Sequence, residues 1–380
     1  MFLKRDPLHS IVASLGLIAL AAHPEFAFGQ SGSPSQPASK PATAVVEADG
    51  TVHVPAFDLP LSAYMSTEAR KSLVQQLHAD QSAFNTSDIA KLREATKTSL
   101  TPLIKHVQER YAVNMKPQML AGVPVLSVSP KNGITARNRA RILINLHAGG
   151  FIVGDAASFG LLESIPIAAL GRIQVITVDY RLGPEHHFPA ASEDVATVYK
   201  ELLRQYKPEN IGIYGCSAGG LLTAEAAAWI QNEKLPRPGA AGIFCAAADA
   251  NWLGDTYFTA IAFTGKRPPS PNAPPYLIEK PYYGDTDLKN PLLSPVVSPG
   301  ILAKFPPTLI LTATRAAELS AAVYTHAELI KAGTEAELHV WDGLWHGFLL
   351  DPDLPESQEA YAVIIKFFDR HLGRTTVTTE

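Results

Sequence analysis

From about residue 122 onward, short apolar runs rich in β-branched residues alternate with stretches whose apolar positions recur every three or four residues. The first kind predicts strands at 123–128, 142–147, 175–178, 211–214, 242–245, 308–312 and 336–341. The second predicts helices at 195–206, where Val195, Val198, Leu202 and Tyr206 share a face, after Ser217, after Leu319 with Gly333 as its C-cap, and at 360–372. Such alternation is the mark of a mostly parallel sheet covered on both faces by helices, an α/β fold.

Two stretches stand outside this rhythm. Ahead of the sheet, Ser66 is placed to cap a helix carrying Ala69, Leu73 and Leu77, and Thr101-Pro102 predicts the start of another carrying Leu103, Val107 and Tyr111. Residues 247–300 are rich in Pro, Tyr and Trp. Neither has a place in the sheet, so both are expected to lie over its C-terminal edge, where open α/β sheets bind ligands.

Composition narrows the picture. A net charge of −4 with Lys/Arg and Asp/Glu intermixed leaves no basic stripe, so no nucleic-acid partner is expected. Lys4 and Arg5 precede an apolar stretch from Ile11 to Ala22 that is too short to span a bilayer, with small residues Ala27 and Gly29 before Gln30. This reads as an export signal over 1–29, followed by a Ser/Pro/Gln-rich leader over 30–48, and leaves no membrane anchor after cleavage. Cys216 and Cys245 are the two cysteines, and both are expected to be buried and reduced.

Two motifs end apolar runs. Gly215-Cys216-Ser217-Ala218-Gly219 follows the run at 211–214 and opens an apolar helix, the context of a nucleophile elbow. His147-Ala148-Gly149-Gly150 follows another run, where bare backbone N–H groups can approach a substrate carbonyl. A serine hydroxyl needs both a base and a place for the oxyanion that its attack creates, and His346 follows in the required chain order. These features predict Ser217 as nucleophile, His346 as base, and Gly149, Gly150 and Ala218 as oxyanion donors. No Lys-Ser/Thr phosphate loop is present, and the motifs call for no cofactor and no metal.

In these motifs the chain resembles the hormone-sensitive lipase family of α/β-hydrolases, bacterial esterase branch. The resemblance also rests on Asp179 to Ala191, Asn290 to Pro295, Pro306 to Leu309 and His346-Gly347-Phe348, and extends over roughly residues 120–372. It implies an eight-stranded, mostly parallel sheet, a cap of N-terminal helices at 49–115 with an insertion at 247–300 after the sixth strand, and core segments at 116–246 and 301–374. It also implies hydrolysis of short-chain carboxylic esters, a small-molecule substrate.

One departure stands out. Family members carry an aspartate a few residues after the seventh strand, and here Ala316 occupies that place. Loss of a triad acid costs on the order of 10,000-fold in serine proteases. Three readings follow: Glu318 supplies the acid, with Asp342 a weaker substitute; Ser217 and His346 work as a dyad; or the acid is lost and the chain is a catalytically impaired binder of an ester-like or lactone ligand. Retention of both Ser217 and His346 favours an exported serine hydrolase that forms an acyl-enzyme.

Overall fold

The computed structural model describes residues 43–265 and 279–374. The export signal, most of the leader, Tyr276 and the middle of the 247–300 insertion lie outside these residues. Eight strands form one sheet in the order β8-β7-β6-β5-β3-β4-β2-β1. They are β1 (Val113–Leu120), β2 (Val123–Pro130), β3 (Ile142–Leu146), β4 (Gln174–Val178), β5 (Ile211–Cys216), β6 (Ala240–Phe244), β7 (Thr308–Arg315) and β8 (Ala336–Trp345). Strands β3 to β8 run parallel, and β2 pairs antiparallel with both β1 and β4. Val45–Val46 and Val52–His53 make a separate two-stranded ribbon.

Among the described residues the α-helices are α1 (Thr67–His78), α2 (Ile89–Arg110), α3 (Phe159–Gly171), α4 (Ala190–Leu202), α5 (Ala218–Asn232), α6 (Asp255–Ala262), α7 (Lys280–Tyr283), α8 (Pro299–Leu302), α9 (Leu319–Lys331) and α10 (Pro355–His371). Helices α3 and α10 pack on one face of the sheet, with Leu162, Ile165, Ile364 and Phe368 in a core shared with Leu143 and Val175. On the other face, α4 and α5 bring Val195, Val198, Leu222 and Ile230 against Ile144, Ile176 and Ile213. Strands β3 and β6 are buried along their whole length, which explains why they read as unbroken apolar runs rather than alternating ones.

Several boundaries differ from the sequence reading. Strand β1 has no counterpart in the sequence pattern: its sequence VNMKPQML includes Lys116 and Pro117, and most of it is exposed at the sheet edge, so no apolar run marks it. The helix expected at 195–206 begins at Ala190, directly after Pro189, and ends at Leu202. Glu193 and Asp194 therefore lie inside α4, where they hold Arg181; Asp194 accepts from its backbone N–H and from its Nε, both at 2.9 Å.

Thr101-Pro102 does not start a helix. Asp88 caps α2 through the N–H groups of Ala90 and Lys91, and the helix continues through Pro102 to Arg110. Leu92, Thr96, Leu100, Leu103 and Val107 form one buried stripe across the proline, and burying it outweighs the missing N–H. In α1, Ser66 caps as expected by accepting from the Ala69 N–H at 3.0 Å, while Leu77 faces solvent.

The helices ahead of the sheet are fastened to the elements around the C-terminal strand ends. Ser66 donates its N–H and hydroxyl to Glu356 at the start of α10, at 2.7 and 2.9 Å. Arg93 on α2 donates to the carbonyls of Ile152 and Gly183, each at 2.8 Å, and pairs bidentately with Glu185. Arg315, at the end of β7, donates to the carbonyl of Pro60 and covers the ring of Phe263.

The stripe on α2 yields a test. Leu100→Ala, at a fully buried position, should lower the unfolding free energy by about 2–5 kcal/mol in chemical denaturation. Leu77→Ala, on the exposed side of α1, should change it by less than about 0.5 kcal/mol.

Candidate active site

Ser217 sits between the end of β5 and the start of α5 with φ 57° and ψ −122°, a strained conformation that lifts its side chain off the sheet. Its N–H donates to the carbonyl of Phe244 on the neighbouring strand at 2.8 Å. The turn is possible only because its flanks are bare: a Cβ at Gly219 would lie 1.8 Å from the Leu146 carbonyl oxygen. Cys216, within the elbow, is buried and free, as is Cys245.

His346 follows β8, and its Nε2 lies 2.9 Å from Ser217 Oγ. Its Nδ1 lies 3.0 Å from Oε2 of Glu318. A carboxylate only accepts, so in the neutral imidazole the proton sits on Nδ1 and Nε2 is left to accept from the serine hydroxyl. Glu318 is the N-cap residue of α9, buried to 1% exposure, and its other oxygen accepts from Thr312 Oγ1 at 3.4 Å. Ala316 faces the core. Asp342 is engaged elsewhere: it accepts from Ser62 Oγ and from Thr314 Oγ1. Burial alone would pull the His346 imidazolium toward neutrality, but the adjacent Glu318 charge outweighs it and pushes the pKa up to about 9.

The loop after β3 presents Gly149 and Gly150, and the peptide leading into each is held on its carbonyl side. Burial keeps the His147 ring below its ordinary range and hence neutral, and its Nδ1–H donates to the Ala148 carbonyl at 2.7 Å. The Gly149 carbonyl accepts from the N–H groups of Ile152 and Val153 at 3.1 and 3.0 Å. In a planar trans peptide, C=O and the following N–H point in opposite directions. Anchoring the carbonyls of Ala148 and Gly149 therefore turns the N–H groups of Gly149 and Gly150 away from those contacts, and neither has an acceptor among the described residues. Gly149 takes φ 129°, and a Cβ there would lie 1.9 Å from the Val153 carbonyl oxygen. Ala218 is the first residue of α5, so its N–H has no partner within the helix.

The six predicted residues thus fall just after the C-terminal ends of β3, β5, β7 and β8, with direct contacts along Ser217, His346 and Glu318. Of the aromatics in the 247–300 stretch, the Trp252 ring lies 6.0 Å from that of His346. Tyr282 and Tyr283 are core residues against Phe151. One further group belongs to no sequence motif: Glu163, the lone charge in the apolar helix α3, accepts the N–H of Ala148 at 2.8 Å and that of Cys216 at 3.1 Å. An isolated acid in a helix without any other charged residue was the available signal.

A family model described as alpha/beta hydrolase fold matches residues 143–350. The chain is 31% identical over 242 residues to an acetyl-hydrolase of Streptomyces hygroscopicus, a match covering 63% of this chain and 78% of that one. Its fold is similar to the crystal structure of an esterase, E25, with a TM-score of 0.73 and 27% identity over 84% of this chain and 98% of the other. It is also similar to the structure of an esterase from the bacterial hormone-sensitive lipase family, with a TM-score of 0.65 and 25% identity over 77% and 94% of the two chains.

The electrostatics of His346 set a pH dependence. The imidazole must be neutral to accept the serine proton, so the rate at which a fluorophosphonate labels Ser217 should climb as pH rises and level off above about 9. Glu318→Gln removes the charge that raises this pKa and leaves burial, which lowers it, so the midpoint of the labelling rate should move to lower pH.

Proposed function

We propose that this chain, which belongs to the hormone-sensitive lipase family of α/β-hydrolases, hydrolyses short-chain carboxylic esters through an acyl-enzyme formed on Ser217. It is an esterase of that family. The observation that carries the mechanism is the continuous line of contacts from Ser217 Oγ through the His346 ring to Glu318, beside three N–H groups with no acceptor among the described residues.

In this reading His346 Nε2 takes the proton of Ser217 as Oγ attacks the ester carbonyl carbon. The carbonyl oxygen becomes an oxyanion held by the N–H groups of Gly149, Gly150 and Ala218, each such donor being worth on the order of 100-fold or more in rate. The imidazolium, stabilised by Glu318, returns its proton to the alkoxide oxygen, and the alcohol leaves. Water then gives a proton to His346 and attacks the acyl carbon; collapse of the second tetrahedral intermediate releases the carboxylic acid and restores the Ser217 hydroxyl. Glu318 fills the role of the missing aspartate, its extra methylene offsetting its later place in the chain. This relay favours a three-residue catalytic set over a dyad or a pure binding protein. A short acyl group fits the likeness to an acetyl-hydrolase and the Trp252 ring beside His346. Residues 1–29 fit an enzyme that acts outside the cytoplasm, and N-terminal sequencing of the cell-exported protein would reveal a start near Gln30.

Assays on p-nitrophenyl acetate, butyrate and octanoate test the proposal. Turnover should be fastest on the two shorter esters and fall by at least about 10⁴-fold in Ser217→Ala. Glu318→Gln should lose on the order of 1,000-fold in kcat, the expected result for a triad acid whose removal costs up to about 10⁴-fold. Undiminished turnover in Glu318→Gln would assign a dyad instead.

A further inference from the structure

Beneath both halves of the site lies one buried carboxylate. Glu163 on α3 is 3% exposed, and its two oxygens receive three donors. Oε1 accepts from the backbone N–H of Ala148 at 2.8 Å. Oε2 accepts from Asn145 Nδ2 at 2.9 Å and from the backbone N–H of Cys216 at 3.1 Å. Ala148 and Cys216 are the residues directly before Gly149 and Ser217. The same side chain therefore grips the chain one residue ahead of the oxyanion loop's first donor and one residue ahead of the nucleophile.

The Ala148 end of this grip is two-sided. The peptide joining His147 to Ala148 gives its N–H to Glu163, and its carbonyl accepts from the Tyr180 hydroxyl at 2.7 Å. With both ends fixed, the plane of this peptide cannot rotate without breaking a buried hydrogen bond, and it is the platform from which the Gly149 N–H projects. Burial pushes the Glu163 carboxyl up to about 8, while its three donors pull it back toward ionisation. All three partners are donors, so both oxygens of the side chain serve as acceptors; the amide of a glutamine would set its own NH₂ against an N–H.

We propose that Glu163 is a positioning residue that sets the distance between the oxyanion donors and Ser217 by holding the Ala148 and Cys216 peptides on one carboxylate. It touches no substrate, and its effect passes through the backbone. A displacement of about 1 Å at such a site can cost about 100-fold in rate, so the arrangement matters even where the fold survives.

The proposal rests on the esterase reading, and the experiment separates the two. Wild type, Glu163→Gln and Asn145→Ala are purified as full chains, their active sites counted by organophosphate titration with p-nitrophenol release, and their kinetics followed on p-nitrophenyl butyrate. Inhibition by a trifluoromethyl ketone, whose serine adduct places an oxyanion in the hole, is measured alongside. Glu163→Gln should lose about 10–100-fold in kcat per titrated site with KM changed less than about 3-fold, and the ketone's inhibition constant should rise by a similar factor. Asn145→Ala, which removes one of the three donors, should show a smaller loss of the same kind. A role confined to stability would lower the number of titratable sites and leave kcat per site and ketone affinity within about twofold, which overturns the proposal. If Glu163→Gln does not fold, an unimpaired Asn145→Ala overturns it equally. A wild type that neither titrates nor turns over any ester removes the esterase reading and the positioning role with it.

Discussion

The site depends on holding one imidazole between a hydroxyl and a carboxylate that come from different strand ends. Ser217 follows β5, Glu318 follows β7 and His346 follows β8, so the contacts of 2.9 and 3.0 Å exist only because the parallel sheet brings these ends to one edge. Nothing local in any of the three segments would create the arrangement. The register of β5 through β8 is therefore as much a part of the chemistry as the side chains, and the buried strands with their helical layers on both faces keep it fixed.

A second constraint is the crowding under the elbow. The carbonyl of Leu146 approaches the elbow so closely that a side chain at Gly215 or Gly219 would collide with it, which joins the end of β3 to the end of β5 before any hydrogen bond is considered. Glu163 adds polar contacts at the same junction. Packing, strain at Ser217 and the shared carboxyl group all act on one small volume, where the glycine loop meets the serine turn.

Much of this was legible in the chain. The alternation after residue 122 marks seven of the eight sheet strands, and the two glycine motifs with His346 mark the reactive end of the sheet, because each needs a local pattern that side-chain chemistry enforces. Strand β1 was not legible: at an exposed edge nothing demands an apolar run, and Lys116 and Pro117 are tolerated. Nor was the start of α2, since Thr101-Pro102 is a sound local start signal overruled by a buried stripe reaching back to Leu92. Glu163 was missed for a different reason: its partners are backbone N–H groups from segments that only folding brings together. Glu318 could be named as the provisional acid, but spacing alone does not separate it from a dyad, since reach across a fold is not written in spacing.

The longer acid has a further consequence. Glutamate carries one more rotatable bond than aspartate, and an acid free to sample rotamers would spend part of its time away from the imidazole. Glu318 is held by a site that leaves it almost no exposed surface and by the Thr312 hydroxyl at its other oxygen. Freezing such a chain costs up to about 2 kcal/mol of conformational entropy. That ordering is completed once, when the protein folds, so the carboxyl group already faces the imidazole before anything enters the site.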